Sequence, residues 1–274
     1  MVDQAELRRA RAAKVEKIGR WVLPILIMIV AVVVWHMIVV VNDIPHYILP
    51  RPMLVLETLI ADWSILSVAL LNTLKITFGA LAIATFGGLF LAILFTQSKW
   101  IEISFFPFAV ILQVTPIIAI APLIFIYVDS VTAGLLICAW IVAFFPILSN
   151  TTLGLNSADH NLRNLFQLYG TTRWQTLLYL RLPSALPFFL AGLRIAGGLS
   201  LIGAIVAEFV AGSAGSGSGL ANQILEASYR LNIPRMFAAL ILISATGILI
   251  FLTLSLLSHL LLRKWHESAL KREM

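Results

Sequence analysis

The side chains that could do chemistry in this chain are few and lie far apart in the sequence. Glu208 falls within an apolar run, His36 is the single histidine of another, and Cys138 is the only cysteine. The sequence has no serine–histidine–aspartate set, no paired carboxylates and no second ligand at metal-binding spacing. We therefore expect no catalysis by this chain and no cofactor or metal site of its own.

The glycine- and serine-rich stretch 212–218 superficially resembles a phosphate-binding loop. Such a loop needs a lysine just before its final serine or threonine, and this stretch has none. It also lies between two apolar runs rather than between a strand and a helix. We interpret it as a connecting loop, and the sequence has no other phosphate-binding loop.

Polar and helix-breaking residues gather in one long apolar run, 104–128. Its three prolines free backbone groups that need partners in neighbouring helices or in water, so this run should be kinked or broken. Glu208, as an ionisable residue in a span, is a functional candidate, although a structural pair with Lys75, Arg230 or a backbone group is an alternative. Polar residues and helix breaks of this kind within apolar runs are candidates to line a path or gate across a membrane, and here they are Gln113, Thr115, Pro116, Pro122 and Glu208.

The composition identifies the elements that must position these residues. Hydrophobic residues make up 60% of the 274, charged residues make up 12%, and the mean hydropathy is +0.98. A soluble domain has about a quarter of its residues charged, so this chain is too apolar to be one. Runs of roughly 20 apolar residues fit membrane-spanning helices and not the shorter, alternating strands of a barrel. The prediction is an all-α, polytopic membrane protein.

Six runs are long and apolar enough to be transmembrane helices. The first, 21–41, is too long for the apolar part of a secretory signal, and no small-residue cleavage pattern follows it. An outer segment, 42–75, comes next and contains a predicted interfacial amphipathic helix at 53–75. The other five spans form a core at 76–262, and we place them at 76–96, 104–128, 131–153, 187–211 and 236–262.

The lysine and arginine residues predict the orientation of these spans. The tails at 1–20 and 263–274 are basic, and the connection at 154–186 carries three arginines against one aspartate. Since basic residues are retained on the cytoplasmic side, we expect both termini and this connection to be cytoplasmic. Their partners would be membrane lipids and not nucleic acid, because no aromatic residues are interleaved with the basic ones.

The connection at 154–186 is too long for a simple link between antiparallel spans. Apolar residues fall at i, i+3, i+4 and i+7 from Leu162 to Tyr169, which predicts one apolar stripe on a short helix. Gly170 follows directly, and glycine is the residue expected where a helix ends in a left-handed conformation.

A second short helix is predicted immediately after the first. Thr172 and Gln175 have the spacing of a capping box that opens a helix, and Pro183 should end it. On pattern alone, the two helices could lie on the membrane interface or dock into a groove of a soluble partner.

This connection resembles the cytoplasmic loop of ABC importer permeases, the membrane components of binding-protein-dependent transport systems. The resemblance is carried by residues 170–175, 182–187 and 191–194. Residues 115–123 are similar to the proline-rich third span of that family. Residues 48–52 are similar to the outer segment of its sulfonate, taurine and nitrate branch.

The resemblance implies a MetI-like permease fold of six spans with a short pair of cytoplasmic coupling helices. It implies two ABC ATPase subunits that bind ATP and Mg²⁺, an extracytoplasmic substrate-binding protein, and a second copy of this chain. Where the family has Glu-Ala-Ala, this chain has Asn-Leu-Phe, so the ATPase contact should be more apolar. The residues expected in the ATPase-coupling loop are Leu162, Asn164, Leu165, Phe166, Tyr169, Gly170, Thr172, Trp174 and Pro183.

The function implied is that of a permease subunit in a bacterial cytoplasmic (inner) membrane, importing a small solute at the expense of ATP. Sulfonates, taurine, nitrate and pyrimidine or vitamin precursors are all open as substrates. An ion-gradient-driven secondary transporter is the alternative, but Glu208 is almost the only intramembrane carboxylate and no inverted repeat is detectable. A β-branched residue at Gly170 should abolish ATP-coupled transport without affecting membrane insertion.

Overall fold

A computed structural model describes residues 4–212 and 218–263, in which helices joined by short connections are present and no strand is. The central part of the predicted loop at 212–218 and all but the first residue of the basic tail at 263–274 lie outside these residues. The helices are α1 (Gln4–Val41), α2 (Pro52–Ala61), α3 (Trp63–Gln97), α4 (Lys99–Val114), α5 (Ile117–Tyr127), α6 (Val131–Asn156), α7 (His160–Leu168), α8 (Arg173–Thr176), a π-helical turn (Leu177–Arg181), α9 (Leu182–Ala211), α10 (Leu220–Tyr229) and α11 (Ile233–Leu262).

Among the described residues, five helical segments are individually long and apolar enough to cross a membrane. The segments are Val22–Val41, Trp63–Gln97, Val131–Asn156, Arg173–Ala211 and Ile233–Leu262. The pair α4 and α5 passes the same test together but is bent by 102° at the break between them. The predicted count of six spans therefore holds when this broken pair is counted as one span.

The chain divides into two compact units. The first comprises residues up to Asp62 together with Ala227–Ala238, and the second comprises Trp63–Glu226 and the residues from Ala239 onward. Within the first unit, Arg235 Nε donates a hydrogen bond of 2.6 Å to Asp62 Oδ2. The apolar part of α1 is almost entirely exposed, as expected of a helix that is hydrophobic all round and meets lipid.

The predicted interfacial helix at 53–75 is wrong in its extent. Helix α2 ends at Ala61, and a new helix, α3, begins at Trp63 and continues for 35 residues. Residues 63–75 contain neither glycine nor proline and only one charge, Lys75, so nothing stops the transmembrane helix from extending back through them. At 1.5 Å per residue, α3 is about 50 Å long and projects beyond the apolar thickness of a bilayer.

Helix α6 lies at the centre of the second unit and packs closely against α9. A Cβ atom at Gly192 would lie 2.7 Å from the carbonyl oxygen of Pro146, and one at Gly203 would lie 2.9 Å from Ala139 Cα. Glycine at these two positions lets the helix backbones approach directly, which is how transmembrane helices gain packing without a hydrophobic driving force. Ile147 and Leu148 of α6 are fully buried in the resulting core.

Candidate functional site

Helix α7 forms where the apolar stripe predicts it and is capped at both ends. Asp159 Oδ1 accepts hydrogen bonds from the backbone N–H of Asn161 at 2.6 Å and of Leu162 at 3.2 Å, which caps the first turn. At the other end, the Gly170 N–H bonds to the Gln167 carbonyl, and the next N–H bonds to the Phe166 carbonyl. This is a Schellman motif, and the φ of +66° at Gly170 supplies its left-handed residue as predicted.

Helix α8 begins at the predicted capping box. Thr172 Oγ1 accepts from the Gln175 N–H at 3.2 Å, and Gln175 Oε1 accepts from the Thr172 N–H at 2.8 Å. Both N–H groups would otherwise have no intrahelical acceptor, so the box fixes where the helix starts.

The prediction that Pro183 ends this helix is wrong. The chain continues from α8 through the π-helical turn into α9, so that Arg173–Ala211 is one uninterrupted helical segment of 39 residues. In the π-helical turn the Leu182 N–H bonds to the Leu177 carbonyl, five residues back. The wider turn places a break in the ordinary hydrogen-bond register just ahead of Pro183, where a missing N–H and a bulky ring disrupt least. The span predicted to begin at residue 187 therefore begins earlier.

The apolar stripe of α7 is mostly exposed among the described residues, and only Phe166 of its four residues is partly buried. Leu162 and Leu165 are 46% and 44% exposed, Tyr169 is 79% exposed, and no residue of α7 is buried. Trp174, at the start of α8, is also exposed. An amphipathic helix with an exposed apolar face can dock that face into a groove of a partner protein.

The predicted break in the third span lies at Thr115 and Pro116. Thr115 has the extended conformation that a following proline imposes, with ψ of 122°, and its Oγ1 donates to the Ile111 carbonyl at 2.6 Å. Gln113, Pro116 and Pro122 are exposed and Thr115 is partly exposed, so these four candidate path residues face outward from this chain. A polar side chain such as Gln113 would not face lipid without cost, which favours a protein or aqueous neighbour.

Glu208, the fifth candidate path residue, is in a different environment and is only 2% exposed. Its Oε1 accepts from Thr73 Oγ1 at 2.8 Å, and its Oε2 accepts from the Ala221 N–H at 3.0 Å. Thr73 Oγ1 in turn accepts from the Leu220 N–H at 2.9 Å. The carboxylate thus holds the first turn of α10, which corresponds to the backbone alternative of the sequence analysis.

Thr73 is a functional residue that the sequence analysis does not predict, although the sequence contains a signal for it. Asn72 and Thr73 are adjacent polar residues in the long apolar helix α3, and the side chain of Asn72 contacts the Ser218 carbonyl at 3.4 Å. Two consecutive polar residues in a membrane helix need a polar partner, and here that partner is the segment that leads into α10.

Comparison with known proteins gives consistent matches over most of the chain. A sequence profile of the binding-protein-dependent transport system inner membrane component family matches residues 84–266. A probable ABC transporter permease protein of Haemophilus influenzae is 32% identical over 244 residues, which are 88% of this chain and 96% of that protein. The riboflavin transport system permease protein RibX of Chloroflexus aurantiacus is 32% identical over 251 residues, 90% of each chain.

Two further matches concern the branch and the fold. The putative aliphatic sulfonates transport permease protein SsuC of Bacillus subtilis is 29% identical over 253 residues, 90% of this chain and 89% of that protein. A crystal structure of an amino acid ABC transporter with histidines has a TM-score of 0.61 and 21% identity, covering 76% of this chain and 97% of the other. At this identity the likeness concerns the fold alone.

Proposed function

This chain belongs to the family of binding-protein-dependent transport system inner membrane components, and on that premise we propose how its helices serve an importer. It is a multi-pass membrane protein and the permease component of an ABC importer for a small solute. The all-α permease fold and the importer family expected from the sequence are confirmed. Nothing in the comparisons supports the secondary transporter.

We propose that α7 is the element that docks onto a separate ATPase subunit, which binds ATP and Mg²⁺. The observation that carries this proposal is the largely exposed apolar stripe that runs along α7 to its C-cap. Its contacting side chains are Leu162, Leu165, the partly buried Phe166 and Tyr169. Asn164 takes the place of the family's acidic residue, so the groove that receives α7 should be apolar rather than basic. The docked helix needs no further folding, because both of its ends are already capped.

Movement of α7 would reach the membrane through the continuous helix that follows it. From Arg173 the chain runs to Ala211 without a loop, so a displacement of α8 is passed along one rigid element to the packed contact of α9 with α6. Alternating access requires two arrangements of the spans, each favoured by one state of the ATPase. A rigid connection of this kind lets the ATPase bias which arrangement is populated.

The path itself is proposed to lie between two copies of this chain. The exposed break between α4 and α5 presents Gln113 and Thr115, and a second copy would turn these surfaces into an enclosed route. Glu208 and Thr73 would hold α10 in place beside the route rather than line it. We place the α7–α8 connection and both termini on the cytoplasmic side of a bacterial inner membrane, and a substrate-binding protein on the outer side.

Co-purification tests the ATPase proposal. The full chain, tagged and extracted gently from its own host, should recover an ABC ATPase in about equal amount. Leu165→Asp should abolish this recovery because it places a charge in an apolar contact. His160→Asp is the matched control, since His160 is exposed on the opposite face of α7 and an acidic residue is favourable in a first turn. Transport by a chain that recovers no ATPase would overturn the proposal.

The substrate can be identified by testing ligands on the substrate-binding protein that co-purifies with the complex. Relatives named for riboflavin and for aliphatic sulfonates are both similar over about nine-tenths of this chain, so flavins, pyrimidines, sulfonates, taurine and nitrate form the panel. A ligand of the binding protein that is also taken up only when ATP is available identifies the solute.

A further inference from the structure

A polar cavity of about 310 Å³ lies behind α7, within the second unit of the chain. Three arginines line it, Arg163 from α7, Arg173 from α8 and Arg181 from the π-helical turn. The remaining lining residues are three threonines and two glutamines, including Thr96 and Gln97 at the end of α3. No carboxylate is among the lining residues.

Hydrogen bonds fix several of the residues that line this cavity. Arg181 is partly buried, and its Nη1 donates to the Thr96 carbonyl at 3.3 Å, which ties the π-helical turn to the end of α3. The hydroxyls of Thr171 and Thr176 lie 3.1 Å apart in the same lining. The wall thus comes from four helical elements and the link that contains Thr171, and hydrogen bonds within the lining join the π-helical turn to α3 and the link to α8.

The charge of this cavity is unbalanced. None of the three arginines forms an ion pair with another described residue, and the two acidic residues nearest in sequence to the lining residues, Asp159 before Arg163 and Glu102 after Gln97, have other partners. Asp159 caps α7, and Glu102 pairs with Lys99 at 2.9 Å. Several guanidinium groups around one cavity repel one another unless an anion is present between them.

We propose that this cavity binds a phosphate group, either the head group of an anionic phospholipid or free inorganic phosphate. Guanidinium groups bind phosphate oxygens in a bidentate manner, and threonine hydroxyls and glutamine amides supply further donors. The cavity lies where apolar α3 ends and the long apolar segment from Arg173 begins, where we expect the head groups of one leaflet. Basic pockets at that level between transmembrane helices are suited to anionic lipid head groups.

The phosphate site and the docking stripe of α7 are on different faces of that helix. At 3.6 residues per turn, Arg163 and Gln167 lie about 100° and about 140° around α7 from Leu162, whereas the other stripe residues lie within about 60° of it. A bound phosphate therefore leaves the apolar stripe free. This site goes beyond the proposed docking role, because it would join the end of α3 to the coupling loop and make the loop sensitive to the lipids around it.

Thermal unfolding of the full chain in a neutral detergent, followed by tryptophan fluorescence, tests the site. The probes are phosphatidylglycerol, phosphatidylcholine, and sodium phosphate against sodium chloride at equal ionic strength. Phosphatidylglycerol should raise the unfolding midpoint, and phosphatidylcholine should not. In Arg163→Gln and in Arg173→Gln, the phosphatidylglycerol concentration that gives half of the maximal rise in midpoint should increase about tenfold. This is the loss of affinity expected when one charge-assisted hydrogen bond is removed.

Two further variants separate the site from general charge. Lys99→Gln removes an exposed positive charge near the same helix ends but outside the cavity lining, and should respond like the unaltered chain. Arg173→Lys keeps the charge without the bidentate geometry and should bind with intermediate strength.

The outcomes distinguish a lipid head group from free phosphate, and some of them would contradict the proposal. A midpoint raised by phosphatidylglycerol alone supports a lipid head group, and one raised equally by sodium phosphate supports free phosphate. The proposal is overturned if neither probe raises the midpoint, or if Lys99→Gln weakens the response as much as the arginine variants. It is also overturned if Arg163→Gln and Arg173→Gln respond to the probes like the unaltered chain.

Discussion

Thr73 Oγ1 and Glu208 Oε1, from helices α3 and α9, share a buried hydrogen bond of 2.8 Å beneath the first turn of α10. The pair accepts two of the backbone N–H groups that α10 cannot satisfy within itself, those of Leu220 and Ala221. A carboxylate at a helix N-terminus is also favoured by the helix dipole. The isolated acidic residue of the fifth span is thus explained by the helix that it holds.

Removal of the carboxylate should loosen α10. In Glu208→Ala the Ala221 N–H is left buried without an acceptor, and we expect a loss of about 2 kcal/mol in the free energy of unfolding. Glu208→Gln keeps one oxygen acceptor but places an NH₂ group beside a donor, so its loss should be smaller but measurable. Thermal unfolding in detergent measures both, with the exposed Asp129→Asn as control. Equal stability of all three variants would contradict the capping role.

Gly219 should not tolerate a side chain. A Cβ atom there would overlap the carboxylate of Glu208, and the clash would push the carboxylate away from its two donors. Gly219→Ala should therefore lower the unfolding midpoint. Gly198→Ala is the matched control, because a Cβ at Gly198 meets nothing within 4 Å and alanine is favoured over glycine in a helix by about 1 kcal/mol. If the two substitutions behave alike, the close contact at Gly219 is not as described.

A substitution at Gly170 should introduce backbone strain but no steric clash. Its φ is +66°, yet a Cβ atom would meet nothing within 4 Å, so a substitution costs only the strain of the left-handed conformation. Gly170→Val should cost about 1–2 kcal/mol at this position and disturb the end of α7, whereas asparagine tolerates it far better. ATP-dependent uptake should therefore fall in Gly170→Val and be largely kept in Gly170→Asn. Membrane insertion, measured by tagged-protein yield, should be normal in both.

The features that the sequence predicted well are those determined by neighbouring residues. The capping box of Thr172 and Gln175 and the left-handed Gly170 each depend on groups within about one helical turn, so their residue types suffice. The prediction that Pro183 ends the second short helix is wrong because a π-helical turn accommodates this proline inside a continuing helix. No local sequence pattern predicts that turn.

The features that were missed join residues far apart in the chain. Thr73 and Glu208 are 135 positions apart, and Arg181 and Thr96 are 85 apart. A single sequence shows that Glu208 needs a partner, but only the packing of α3 beside α9 shows which one. The same holds for the cavity, because the sequence identifies its three arginines only as orientation signals and does not show that they lie together.

The path is tested by the chemical accessibility of the break between α4 and α5. The native Cys138 is the only cysteine and is fully buried, so it should leave almost no background with a water-soluble thiol reagent. Gln113→Cys should react in the assembled transporter, because a residue that lines a path meets water.

The control for that experiment is Phe86→Cys, since Phe86 is 75% exposed on apolar α3 and is expected to face lipid. A thiol in lipid is neither hydrated nor readily ionised, and the thiolate is the reactive form, so Phe86→Cys should stay unlabelled. ATP should change the labelling rate of Gln113→Cys if access alternates, and it should not affect Phe86→Cys. Labelling of Phe86→Cys but not of Gln113→Cys would reverse the assignment, because the break would then face lipid and the path would have to lie along α3.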